Sequence, residues 1–216
     1  MGTAIAVHAT ALRARSALAV ALAVAATFGC TTGEGEGWVK SDKLFVRDCW
    51  NGPFDLQPTF FGGNPNEDSL TIRVQRGDNL REVSDGLTIM IEDLPTIRES
   101  SLGSAVEIGL PEGAGAAAAP VSMSLFLHDS CHEQNGALYA TSGSITFASL
   151  FSGDPNESDA DDRLTEASFT AQMANAEDVD TTGAAPPPGA APAQTSEVQG
   201  WFRFVFQRGQ PAQPFP

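Results

Sequence analysis

Leu125-Phe126-Leu127-His128-Asp129-Ser130-Cys131 reads as a β-strand that ends at an Asp and a Cys, and it echoes the earlier stretch Leu44-Phe45-Val46-Arg47-Asp48-Cys49. The echo continues in order. Phe61-Gly62-Gly63-Asn64-Pro65-Asn66-Glu67 is answered by Phe151-Ser152-Gly153-Asp154-Pro155-Asn156-Glu157, and each is followed by a Leu-Thr pair, Leu70-Thr71 and Leu164-Thr165. Asn-Pro and Asp-Pro open turns where strands reverse, so both segments read as turns. Three matched features in one order point to duplication of a single β unit, with halves at 44–112 and 120–208.

The rest of the folded part supports an all-β reading. Leu70, Ile72 and Val74 alternate with Thr71, Arg73 and Gln75, and Leu87, Ile89 and Ile91 repeat the pattern after the Asp85-Gly86 turn. Val121, Met123, Leu125 and Leu127 share one face; Ser122, Ser124, Phe126 and His128 share the other. Ile145 with Phe147, Ala167 to Met173, and Phe202 to Phe206 continue the two-residue period. Such runs predict an antiparallel β-sandwich or flattened barrel, and no stretch carries a helical period. Gly113 to Pro120 reads as the linker between halves. Residues 178–197, with Pro186-Pro187-Pro188, are too poor in apolar side chains to pack and read as a mobile loop. The tail 209–216 is expected to be extended.

The amino terminus has a different character. Arg13 and Arg15 are its only full charges, and Ala17 to Phe28 is an unbroken run of small and apolar residues apart from Thr27. That is the n-region and h-region of an export signal over residues 1–29. The apolar run is too short to span a bilayer, which takes about 20 residues as a helix. Thr31-Thr32-Gly33-Glu34-Gly35-Glu36-Gly37 follows, and residues 30–43 read as a flexible tether.

Phe28-Gly29-Cys30 resembles the lipobox of bacterial lipoproteins, with a small residue before the Cys and with Thr27 standing where an aliphatic residue is usual. With a β domain behind it, the chain is similar to exported β-sandwich lipoproteins. The resemblance implies that Cys30 is acylated and becomes the new amino terminus. Thr31 after the Cys implies the outer membrane of a Gram-negative cell. Cleavage after Val24-Ala25-Ala26, giving a secreted or periplasmic protein, is the alternative. Two cysteines then remain, and in an oxidising compartment Cys49 and Cys131 are expected to pair. Their bridge would close a loop of roughly 80 residues, worth at most about 4 to 5 kcal/mol in the chain-entropy view.

Charge narrows the partners. Twenty-seven acidic residues against twelve Lys and Arg give a net charge of -15, and the export signal takes two of the positive charges with it. Such a surface repels phosphate backbones, so nucleic acid is not an expected partner. The membrane, reached through the lipid anchor, is one expected partner; a protein or a glycan is another.

Candidate chemistry is sparse. Asp154, Asn156, Glu157, Asp159, Asp161 and Asp162 crowd oxygen ligands into one loop, a pattern that suits calcium. The spacing is not that of an EF-hand, and a solvated acidic loop is the competing reading. His128, Cys131, His132 and Glu133 form a Cys/His cluster that suits zinc or a nucleophile, but Cys131 reads first as half of the disulfide. Trp38, Trp50, Trp201 and Tyr139 are flat rings of the kind that bind sugars; packing at the sheet edges is the plainer reading. No catalytic residue is singled out. The expectation is therefore a non-enzymatic binding or structural protein of the envelope, ligand unknown. A carbohydrate- or calcium-binding module and an extracytoplasmic enzyme are the alternatives.

Overall fold

A computed structural model describes residues 35–77, 84–110, 119–132, 136–179 and 194–207. The strands are β1 (Gly35–Val46), β2 (Trp50–Leu56), β3 (Phe60–Asn66), β4 (Ser69–Gln75), β5 (Asp85–Ile91), β6 (Ala105–Gly109), β7 (Val121–Leu127), β8 (Gly136–Ser149), β9 (Leu164–Asn175) and β10 (Thr195–Val205). One short helix, α1 (Leu94–Ser100), lies between β5 and β6. The fold is all-β, and the ten strands form a single curled sheet, a half-barrel.

Strand order explains the curl. Along the sheet the strands run β2-β1-β10-β9-β8-β6-β7-β5-β4-β3. The two edge strands, β2 and β3, are consecutive in sequence, joined only by Gln57, Pro58 and Thr59. So short a link forces the edges toward each other. Phe61 of β3 stacks on Phe204 of β10, ring centroids 6.1 Å apart. Pro53 and Pro65 sit in these edge strands, where a missing N–H is tolerated and discourages pairing with another chain. Neighbouring strands are antiparallel except β6 and β7, which run parallel, so the sheet is mixed.

The two-residue period read from the sequence decides which side chains fill the curl. Leu70, Ile72, Val74, Leu87, Ile89, Ile91, Leu125, Leu127, Ile145, Phe147, Phe202 and Phe204 are all buried. Leu94 and Ile97 of α1 join the same core, and Phe151 stacks on Phe206 at 4.1 Å. Each fully buried side chain of this size contributes about 1.5–3 kcal/mol.

Several boundaries differ from expectation. Residues 35–43, read as part of the tether, belong to β1. The glycines there are packing residues: a Cβ on Gly35 would lie 2.6 Å from the Phe61 ring, and one on Gly37 would lie 2.7 Å from the Trp201 carbonyl oxygen. Only glycine allows that approach, and the composition resembles a linker for this reason. The mobile loop ends sooner than residue 197, because β10 starts at Thr195. Residues 61–67, read as a turn, lie mostly in β3.

Helix α1 was not expected. It carries only two inward side chains, but its ends are specified: Asp93 caps it by accepting from the Thr96 N–H at 3.0 Å, and Pro95 occupies the first turn. The export signal, Cys30, the Gly113 region up to residue 118, residues 180–193 and the tail 209–216 lie outside the described residues.

The first part of the sequence echo meets in space. Cys49 follows β1 and Cys131 follows β7, and the two are disulfide-bonded with Cα atoms 5.7 Å apart. The later parts take different structures. Residues 151–157 form an irregular loop while their counterparts lie in β3. Leu70 is buried in one Leu-Thr pair, whereas Thr165 is buried in the other.

Candidate functional site: a groove across four strands

Strands β4, β5, β7 and β8 turn one set of alternate residues into the core and the other set to the opposite face. Register aligns the second set in rows. Arg73 lies opposite Thr88, Thr88 opposite Ser124, and Ser124 opposite Tyr139. The next row is Gln75, Gly86 and Phe126, and on the other side lie Thr71, Met90 and Ser122. In the first two rows the central residues are small and the flanking ones large, whereas in the third Met90 stands between the smaller Thr71 and Ser122. The result is a groove of about 400 Å³. Strands are spaced about 4.8 Å apart, so the row from Arg73 to Tyr139 spans roughly 14 Å of backbone.

Gly86 deepens the groove. A Cβ there would meet the Gln75 Cβ at 2.8 Å, so the position stays bare. Thr88, Ser122 and Ser124 supply hydroxyls on the floor, and each hydroxyl both donates and accepts. Gln75 is buried and donates from Nε2 to the Gly77 carbonyl at 2.7 Å, which fixes its amide at one rim. At the opposite rim the rings of Phe126 and His128 stack with centroids 5.6 Å apart.

The groove is electrostatically unlike the rest of the surface. Among the described residues that line it, none is an Asp or Glu, although the chain holds 27 of them. Arg73 supplies a guanidinium whose pKa is lowered by partial burial, while the group stays protonated at neutral pH. Among its described residues the lining thus carries a guanidinium and no carboxylate, in a protein whose overall charge is acidic.

Asp85 holds one end in place. It is fully buried and accepts from the backbone N–H of Asp129 and of Ser130, each at 3.0 Å, and from the Ser130 hydroxyl at 2.6 Å. These bonds tie β5 to the turn after β7 that carries His128 at the rim and Cys131 in the disulfide.

The residues singled out in the sequence fall in several places. In the acidic loop, Asp154 accepts from the Asn156 N–H, Glu157 from the N–H groups of Ser158 and Asp159, and Asp159 from the Asp161 N–H. Asp162 pairs with Arg98. These carboxylates shape their own loop, and no group of three or more His, Cys, Asp or Glu that could hold a metal ion is found among the described residues. Cys131 is consumed by the disulfide, and His132 lies 3.9 Å from Asp129; Glu133 lies outside the described residues.

The aromatic residues separate. Tyr139 lines the groove. Trp38 and Trp201 are register partners on the outer face of β1 and β10, with Lys40 over the Trp38 ring at 5.7 Å. Trp50 packs edge-on against Phe54.

Sequence reasoning missed the groove. Arg73, Thr88 and Ser124 were each visible as the polar half of a strand, but only register places them in one row. The available signal was the run Ser122-Ser124-Phe126-His128, a strand face with hydroxyls and rings and no acid.

No protein-family description, curated protein or solved structure matches this chain.

Proposed function

We propose that this chain is an exported lipoprotein, held at a bacterial envelope through Cys30, whose β domain binds a small polar molecule without transforming it. The groove across β4, β5, β7 and β8 carries this reading. Its lining of hydroxyls, one amide, one guanidinium and aromatic rings consists of groups that orient and hold a ligand, and its volume falls in the range of small-molecule sites. The disulfide between Cys49 and Cys131 supports folding in an oxidising compartment.

A panel of small polar compounds, followed by thermal shift of the oxidised protein, tests the binding role. Ser124→Trp fills the middle of the groove from a strand face that faces away from the core. Compounds that raise the melting temperature of the wild type are expected to lose that effect in the variant. Hits that persist in Ser124→Trp would move the site elsewhere, and a panel with no hits at millimolar concentration would remove the binding role.

A second reading has one observation behind it. Trp38 and Trp201 stand side by side on one outer face, the arrangement a glycan-binding surface requires. Loss of glycan retention in Trp38→Ala with Trp201→Ala, and retention in Ser124→Trp, would favour it over the groove.

A further inference from the structure

Resting on the groove as the binding site, we infer that its ligand is a hydroxylated organic anion, an acidic sugar whose carboxylate meets Arg73 and whose ring lies over Thr88 and Ser124 toward Tyr139. Five features select this class. Arg73 sits at one end of the row and Tyr139 at the other, so charge recognition and ring contact are separated along one axis. A guanidinium fork matches a carboxylate in two parallel hydrogen bonds. Thr88, Ser122 and Ser124 lie between those ends, and their hydroxyls can exchange donor and acceptor roles with sugar hydroxyls. Met90, Phe126 and Tyr139 offer apolar surface to the C–H face of a ring. The row of roughly 14 Å accommodates one or two sugar rings.

The lining has the sign that an anion requires. It holds an Arg and a His, and no carboxylate among its described residues. The net charge of -15 repels anions from the molecule as a whole, so an anion that binds must be drawn by local groups. Arg73 is half-buried, and the lower local dielectric there strengthens that attraction relative to the open surface.

Amide chemical shifts of the oxidised, 15N-labelled protein provide the test, with sodium glucuronate, glucose, sodium benzoate and inorganic phosphate as probes. Glucuronate is expected to move the amides of Thr88, Ser124 and Tyr139, with at least tenfold tighter binding than glucose. Arg73→Gln should abolish the preference, and Arg73→Lys should restore part of it. The dispersion of the same spectra reports whether each variant is folded, and Thr88→Val weakens binding from the hydroxyl side should Arg73→Gln unfold.

Equal binding of glucose and glucuronate, or glucuronate binding unchanged in folded Arg73→Gln, would overturn the anion assignment while the groove stands as a site. Groove shifts with benzoate or phosphate but not with glucuronate would overturn the sugar assignment. Groove amides unmoved by every probe, with a compound panel that still gives hits lost in Ser124→Trp, would overturn this inference alone; with no such hits, the site itself falls.

Discussion

Replacing Asp85 with alanine removes the shared acceptor of three hydrogen bonds in a fully buried position. Two of them come from the N–H groups of Asp129 and Ser130 to the same oxygen, Oδ1, and the third from the Ser130 hydroxyl to Oδ2. A buried donor left without a partner costs about 1–3 kcal/mol, and three donors on one carboxylate do not add independently. Asp129 is half exposed, so its end of the turn can open to water, and the net loss should be about 3 kcal/mol. Asparagine separates acceptor from charge. It keeps Oδ1 for both N–H groups, and the Ser130 hydroxyl can rotate to accept from the new amide, so Asp85→Asn should lose only about 1 kcal/mol.

Urea denaturation of the oxidised protein reads both values. With a slope of about 2 kcal/mol per molar urea, the midpoint should fall by about 1.5 M for alanine and by about 0.5 M for asparagine. Equal midpoints for the two variants would show that charge, not the geometry of acceptance, matters at this position. An alanine variant within about 0.3 M of wild type, well under 1 kcal/mol at that slope, would refute the role given to Asp85.

Other outcomes follow from the same structure. Cys49→Ser with Cys131→Ser opens a bridge between residues 82 apart in sequence, worth at most about 4.5 kcal/mol. Its thermal midpoint should fall by about 10 °C, and reduced wild type should melt with it. Gly37→Val places a Cβ 2.7 Å from the Trp201 carbonyl oxygen and should cost about 2 kcal/mol by overpacking; an unchanged circular dichroism melt would mean that β1 does not pair with β10 there. The Asp93 carboxyl is held below its ordinary pKa by the N–H and hydroxyl of Thr96. A lowered folded-state pKa stabilises the protein above the ordinary carboxylate value and is lost as pH falls through the folded one. Asp93→Ala should therefore melt below wild type at neutral pH, and the gap should close in acid.

What could be read from the sequence was what a two-residue period controls. Leu70, Ile72 and Val74, or Leu87, Ile89 and Ile91, announce both their strands and the face that enters the core, because burial is the reason for their alternation. The cysteine pairing was legible for a different reason, as two thiols left over in an exported chain. Strand β2 was hidden: Asn51, Gly52 and Pro53 carry turn signals, and only Phe54 and Leu56 face inward. An edge strand tolerates such residues because one side of it pairs with nothing. Gly35 and Gly37 misled in the opposite direction, since packing against Phe61, Phe202 and Phe204 demands the same residue that a flexible tether uses. The groove was illegible because Arg73, Thr88, Ser124 and Tyr139 come from four strands, and their alignment depends on registers that no local pattern encodes.

Export and anchoring underlie every role proposed for the domain, and the intact mass of the protein from its native membrane, alkylated without prior reduction, tests them together. An acylated chain that begins at Cys30 and carries no alkylated thiol is the predicted result. A chain that begins at Met1 with Cys30, Cys49 and Cys131 all alkylated would contradict it, placing the protein in a reducing compartment without a lipid anchor.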